Sequence, residues 1–419
     1  MTQPPEKPGP FASLRVRDFR LLLIGTLFSN AIQWIQQVTL SWVVYDITGS
    51  GTILGTLNLV TSMASLGMIP IAGLLIDRLN RRNLMLVSNG WLLLITLGLG
   101  LILITGHSHI AYLFVFAFLS GMMITINGTL YQVVIFDLVP RSVTPNAVAL
   151  VQTGWSLMRS FGPSIGGFLF LWFGAGGNFL VQAGIYALII VNIMFIHFPA
   201  RKAPAVQSSP IQNIKDGLRY IIERPVTRAF MFMGFVLPLF IIPIYTILPP
   251  IYAVDVFNGG PDVLGFLMSS VGIGGIVGGF FVAFTSRFER RGLLQLASLF
   301  LLSLSLIGFA YSTKLSTALP FLALSGFFEM IFLTTNQTLL QLSIPDTLRG
   351  RVTSMVNLNA ALMPLGGLVA GTGSDLFAGP KMITIIFGII TAGIAVIVFF
   401  LSPVIRNYRL SQAIESPPV

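Results

Sequence analysis

Two charged side chains fall where charge is expensive, because Glu329 and Arg159 both lie deep inside long apolar stretches. An isolated ionised side chain at the middle of a bilayer costs about 2.5–3.5 kcal/mol or more. Such a residue is kept with a partner or for a task. Glu329 shares a helical face with Ser325 and Asn336, and Arg159 shares one with Gln152 and Trp155. Two chemistries fit. Glu329 takes up and releases a proton or binds a cationic group, or it forms a fixed ion pair with Arg159 that braces the structure. Asp46, near the outer end of the first apolar stretch, is a further proton-coupling candidate, with a gate or cap role as the plainer reading.

Uncharged polar residues recur at helical spacing inside the same apolar segments. Asn30, Gln33, Trp34, Gln37 and Ser41 form one stripe, Asn58, Thr61, Ser62 and Ser65 a second, and Asn127 with Tyr131 extend the set. In hydrocarbon an unpaired polar group costs several kcal/mol, so these groups face protein or water. They read either as the lining of a central cavity or as hydrogen bonds between helices, the latter worth about 0.6 kcal/mol each. The length of the first stripe favours a cavity there. Trp155, Ser325 and Asn336 complete the candidate lining.

Other chemistries lack their residues. The chain has no cysteine, which excludes disulfides and thiolate sites. No lysine follows a glycine, so the end of a P-loop is missing, and H-E-x-x-H does not occur. No cofactor and no metal site are expected, His107 and His109 falling in a loop. Asn127-Gly-Thr129 and Asn336-Gln-Thr338 match a glycosylation pattern but lie within apolar segments.

The elements that must position these residues are membrane helices. Of 419 residues 54% are hydrophobic and 9% charged, against about 25% charged in soluble domains. A helix crosses the roughly 30 Å hydrocarbon core in about 20 residues. Apolar segments fall near 19–45, 52–76, 84–105, 111–137, 147–172, 178–198, 228–252, 262–285, 293–312, 318–342, 352–375 and 382–402. The first is too long for a cleaved signal and reads as a retained span. An all-α membrane protein of twelve transmembrane helices follows. Its expected parts are a six-helix half over 1–198, a cytoplasmic linker over 199–227 and a second six-helix half over 228–419. Within the linker Ile211, Ile214, Leu218 and Ile221 share one face, as in an amphipathic helix at a membrane surface; a plain flexible linker is the alternative.

Charge sets the orientation. With both termini cytoplasmic, all of the 24 basic residues except Lys314, Lys381 and Arg159 fall on the cytoplasmic side, as the positive-inside rule requires. The net charge of +10 is spread among these short clusters. It forms no single patch, so no nucleic-acid partner is expected. The two halves also repeat. Ser120-Gly121, Gln132, Pro140, Gly162 and Gly166 recur as Ser325-Gly326, Gln337, Pro345, Gly367 and Gly371 at a constant offset of 205, and Leu54-Gly55 and Arg81 recur as Leu264-Gly265 and Arg291 at 210. Internal repeats of this kind mark transporters built around a central pathway.

The stretch Gly73-Leu-Leu-Ile-Asp77-Arg78-Leu-Asn-Arg81-Arg82 resembles the loop motif G-x-x-x-D-R/K-x-G-R-R/K of the Major Facilitator Superfamily, with Asn80 in place of its second glycine. The likeness covers essentially the whole chain. It implies that superfamily's fold, a conformational latch at Gly73, Asp77, Arg78 and Arg81, and a monomer. Loop charge that merely sets topology is the alternative. Gly162-Pro163-Ser-Ile-Gly166-Gly167 is similar to the G-P-x-x-G-G motif of superfamily exporters, though Met158 stands where that motif has an earlier glycine. Helix packing with no bearing on export explains it equally simply. Phe19-Arg20 through Trp34, Gln37, Trp42, Tyr45 and Thr48-Gly49-Ser50, with Gly217-Leu-Arg-Tyr220 and Pro345-Asp346 through Arg349-Gly350-Arg351, resemble the branch holding enterobactin exporters and macrolide-efflux proteins.

That resemblance implies proton-coupled efflux of an amphipathic, drug- or siderophore-like molecule across a bacterial plasma membrane by alternating access. A facilitator, importer or lysophospholipid flippase would use the same fold, and a transporter-like receptor is the reading from another class. Many drug/proton antiporters of the superfamily carry an arginine in the fourth helix. The segment 111–137 has none, which weakens the case for protons.

Overall fold

A backbone in hydrocarbon must satisfy its own hydrogen bonds, which a helix does within one segment. The computed structural model describes residues 11–140, 142–198, 219–285, 288–344 and 362–408, and among these every regular element is helical. The elements are α1 (Arg17–Thr48), α2 (Gly51–Arg78), α3 (Arg81–Ile104), α4 (Ile110–Leu138), α5 (Thr144–Met194), α6 (Pro225–Val256), α7 (Pro261–Phe284), α8 (Arg291–Tyr311), α9 (Leu315–Leu342), α10 (Met363–Leu376) and α11 (Pro380–Leu401). Nine helices among the described residues are long and apolar enough to cross a membrane.

Two elements depart from simple rods. α5 runs 51 residues, about twice a crossing, and turns at Gly174, whose φ of 67° is open to glycine at little cost. The sequence places a break at 173–177, and one glycine makes it. α6 contains Pro238, Pro243, Pro249 and Pro250, each without an N–H to donate. It accommodates them with π-helical turns at Leu237–Ile241 and Tyr252–Val256.

The described helices pack into two compact units. One holds described residues within Met1–Val43 and Val60–Pro204, the other those within Val44–Leu59 and Ala205–Val419. The C-terminal end of α1 and the first turns of α2 thus belong with the C-terminal helices. In the first unit α3 packs on α4 and α5, around a core that includes Phe19, Leu22, Met85, Leu130 and Ile189. In the second, α9 packs on α7 and α8, and α8 on α11. Large apolar side chains such as Trp172, Phe173, Phe284 and Leu401 point outward, as a lipid-facing surface allows.

The segment entering each unit is tied down in a related way. Ser13, fully buried, donates from both its N–H and its hydroxyl to Asn146 Oδ1, at 3.0 and 2.6 Å. In the second unit the Tyr220 and Thr227 hydroxyls donate to the Ser343 carbonyl at 3.0 and 3.2 Å. Of the expected linker helix, residues 219–223 are helical and Ile221 is buried. Ile211, Ile214 and Leu218 lie outside the described residues, as do Pro345, Asp346, Arg349, Gly350 and Arg351.

Candidate functional site

The polar stripe of α1 turns one edge into the first unit. Thr26, Ser29, Asn30 and Gln33 there meet Asn127, Tyr131 and Gln132 of α4 and Gln152, Trp155 and Tyr186 of α5 around a cavity of about 490 Å³. Apolar side chains, Leu92, Ile124, Phe136 and Val151 among them, fill out the walls. No Asp, Glu, Lys, Arg or His is among these lining residues. The surface offers amides, hydroxyls and aromatic faces, a donor and acceptor set suited to a molecule with both polar and apolar parts.

Its polar groups are not equally available. Asn127 is held on the wall: its Oδ1 accepts from the Ser88 hydroxyl at 2.6 Å and from Asn89 Nδ2 at 3.3 Å, and its Nδ2 donates to Asn89 Oδ1 at 3.3 Å. Tyr131 is only 6% exposed, and its hydroxyl makes no hydrogen bond of ordinary geometry, Asn89 being the polar side chain beside it. A buried hydroxyl without a well-formed hydrogen bond costs about 1–3 kcal/mol.

The glycine motif positions the aromatic wall. A Cβ on Gly162 would stand 2.7 Å from Trp34 Cβ, and one on Gly166 would stand 3.0 Å from Ile35 Cα, so α1 and α5 approach closely there. Pro163 and Gly167 are buried in the same turn. Asn178, fully buried, donates its Nδ2 to the Gly166 carbonyl at 2.9 Å. Trp34, fitted into the Gly162 gap, meets Trp155 edge-on with ring centroids 6.1 Å apart. The Arg159 guanidinium lies 5.7 Å over the Trp155 ring on its other contact, a cation–π arrangement.

The remaining candidates lie elsewhere. Trp34, Gln37, Ser41, Asn58 and Ser62 are not in the cavity wall. Gln37 Nε2 donates to Ser41 Oγ at 3.2 Å, and Asn58 Nδ2 to its own helix at the Leu54 carbonyl, 3.2 Å. Ser325 and Asn336 are buried in the second unit, where Tyr245 donates its hydroxyl to Ser325 Oγ at 3.0 Å and Gln295 Nε2 donates to Asn336 Oδ1 at 2.7 Å. Glu329 is buried on the same helix at 3% exposure. Arg159 is half-buried in the first unit, and Asp46 is exposed at the end of α1.

At the α2–α3 turn, Arg81 forms an ion pair with Asp137, and the neighbouring Arg82 donates to the Met194 carbonyl at 2.9 Å. Asp77 and Arg78 are exposed. No atom lies within 4 Å of where a Gly73 Cβ would stand, so no close helix approach is seen at this glycine. Asn80, the departure from the motif, caps α3 by accepting from the Arg82 and Asn83 N–H groups at 3.0 and 3.4 Å. His109 likewise accepts from Ala111 N at the start of α4, at 3.2 Å.

A family model described as transmembrane secretion effector matches residues 8–415. The chain belongs to that family, within the Major Facilitator Superfamily. As a member of the superfamily it is a multi-pass membrane transporter. Similar relatives in the superfamily include the staphyloferrin A transporter of Staphylococcus aureus, 25% identical over 88% of this chain and 92% of that protein. The multidrug efflux pump Tap of Mycolicibacterium fortuitum is 26% identical over 85% and 88%, and the enterobactin exporter EntS of Shigella boydii 21% identical over 96% and 94%. The fold matches a bacterial homolog of the human lysosomal transporter Spinster, with a TM-score of 0.74 at 15% identity over 96% of this chain and 98% of that one.

Sequence reading missed several cavity residues of this superfamily member. Thr26 and Ser29 continue the α1 stripe by one further turn, and that spacing was the available signal. Ser88 and Asn89, which hold Asn127, belong to a segment whose apolar neighbours hide them.

Proposed function

We propose that this chain is a secondary active exporter that carries an amphipathic organic molecule, drug- or siderophore-like, in exchange for protons. The observation that carries the reading is the uncharged cavity of the first unit, lined by Asn30, Gln33, Tyr131 and Trp155 inside otherwise apolar spans. A transporter needs binding that is firm enough to select and weak enough to release, and dipoles with aromatic faces supply both. Relatives that handle siderophores and drugs support the same ligand range.

The architecture that goes with this function has twelve spans in two six-helix halves, 1–198 and 228–419, joined by the cytoplasmic linker 199–227. Both termini face the cytoplasm of a bacterial cell, and a single chain in the bilayer suffices. α5 supplies two of the spans by turning at Gly174. Glu329 takes up and releases the proton, Arg159 is a second proton-coupling residue, and Asp46 serves in a gate. Gly73, Asp77, Arg78 and Arg81 form the cytoplasmic latch.

The test is uptake into inside-out membrane vesicles, with ethidium and a radiolabelled hydroxycarboxylate siderophore as probes. Uptake that builds with an imposed pH gradient and collapses with a protonophore supports the exporter. Equilibration without a gradient identifies a facilitator, and binding without flux a receptor. Glu329→Gln abolishes gradient-driven uptake while leaving exchange intact; accumulation at the wild-type level removes the proton role.

A further inference from the structure

At the end of α2 opposite Arg81, the carboxylate of Asp375 makes three hydrogen bonds to one helix start. Its Oδ1 accepts from Gly51 N at 2.7 Å, and its Oδ2 accepts from the Ser50 hydroxyl at 2.7 Å and from Thr52 N at 2.9 Å. Ser50 in turn places its hydroxyl 3.3 Å from the N–H of Ile53. The first N–H groups of a helix have no partner within it, and a carboxylate there is favoured by both hydrogen bonding and the helix dipole. Here the cap comes from the last turn of α10, more than 300 residues along the chain.

The two helices it joins carry matching glycine pairs, Gly51 and Gly55 on α2, Gly367 and Gly371 on α10. They touch through these pairs. A Cβ on Gly51 would stand 2.7 Å from the Gly371 carbonyl oxygen, one on Gly371 would stand 2.0 Å from the Gly51 oxygen, and one on Gly55 2.8 Å from the Gly367 oxygen. Backbone meets backbone at these contacts, with Ile251 beside Gly51 and Ile247 beside Gly367. Nearby, the Tyr45 hydroxyl donates to Asp255 Oδ2 at 2.7 Å, tying the end of α1 to the π-helical turn of α6.

We propose that Asp375 is a positioning residue for transport. It locks the start of α2 against α10 as an outer gate that forms and breaks once per cycle. The physical reason is the pairing of a smooth contact with a polar lock. Glycine surfaces slide and separate with few interlocking side chains to disengage, and the three bonds to one carboxylate set when they do. Asp375 is solvent-exposed, so water replaces its partners on opening and the lock does not trap the closed state. The inference rests on the alternating-access reading above.

The chain has no cysteine, so single cysteines report directly. Leu54, in the first turn of α2, is fully buried, and Leu54→Cys should react with a membrane-impermeant maleimide only when the contact opens. In cells retaining transport, Asp375→Asn should raise the labelling rate about tenfold, the scale of a lost helix cap. Transport should lose maximal rate with little change in KM. Ser50→Ala should give a smaller rise, and Asp375→Glu should restore part of the wild-type rate. Melting of each variant in detergent separates gating from unfolding: equal labelling at equal melting temperature overturns the proposal. If Leu54→Cys labels during transport but ignores Asp375→Asn, the gate role fails while alternating access stands. If it never labels in actively transporting protein, both fail. Leu57→Cys, at a position 2% exposed, repeats the test should Leu54→Cys be inactive.

Discussion

The two units use equivalent positions for different ends. Tyr131 of the first unit and Asn336 of the second stand 205 residues apart, the offset of the repeat. Tyr131 lines a cavity beside Asn89, whereas Asn336 is buried outside that cavity's lining and bonded to Gln295. The basic turns diverge in the same sense. Arg81 pairs with Asp137, while Arg291 donates to the Thr285 carbonyl at 2.9 Å, and Leu342 holds the position equivalent to Asp137. What persists between the units is the set of small residues that lets helices approach; what changes is the chemistry on the faces. The first unit keeps polar groups available to a ligand, and these polar groups of the second are spent on its own packing.

The largest expected effect probes what persists. A Cβ on Gly326 would stand 2.0 Å from the Val271 carbonyl oxygen, and one on the equivalent Gly121 2.6 Å from that of Thr61. Neither neighbour is a flexible side chain, so Gly326→Ala should destabilise by about 3 kcal/mol and Gly121→Ala by about 1–2 kcal/mol, within the range for overpacking. Thermal unfolding in detergent ranks them, and the reverse order would break the comparison.

The next test separates spent from available polar groups. Asn336→Leu leaves the fully buried Gln295 amide unpaired and should cost about 1–3 kcal/mol. Tyr131→Phe removes a buried hydroxyl that lacks a well-formed hydrogen bond, so stability should hold or rise, by up to about 1–3 kcal/mol, while the KM for transport rises. Equal losses of stability would show that Tyr131 is also structural.

A smaller effect belongs to Asn80, whose two accepted hydrogen bonds have no counterpart at Arg290 before α8. Asn80→Ala should cost about 1 kcal/mol by melting, the usual value of a helix cap. The smallest is the ion pair. A double-mutant cycle on Arg81 and Asp137 should give a coupling of about 0.2–1 kcal/mol, and Arg291 with Leu342 should give none.

Much of the fold was legible because bilayer thickness dictates helix length. The limits of α3 and α4 lie within three residues of the apolar segments read from the sequence. The turn inside α5 was legible as a glycine cluster, though not as a helix that resumes at once. The site was legible where a stripe persists, as along α1, since period and polarity then coincide. It was not legible where one side chain meets a distant backbone. Nothing about Asp375 in sequence announces the start of α2, because a cap supplied from another helix leaves no local spacing. Asn80 read as a defect in a motif until its capping bonds explained it, and Asn178 gives no hint that it answers the Gly166 carbonyl.

The central claim is that the uncharged cavity of the first unit binds the transported molecule on a route driven by protons. It is tested most directly by measuring gradient-driven uptake of ethidium and the labelled siderophore into inside-out vesicles bearing wild-type protein, Gln33→Leu or Tyr131→Phe. The wild type should accumulate at least one probe in a protonophore-sensitive way, and both variants should show a raised KM for that probe at normal expression. Accumulation by the wild type with unchanged KM in both variants would contradict it.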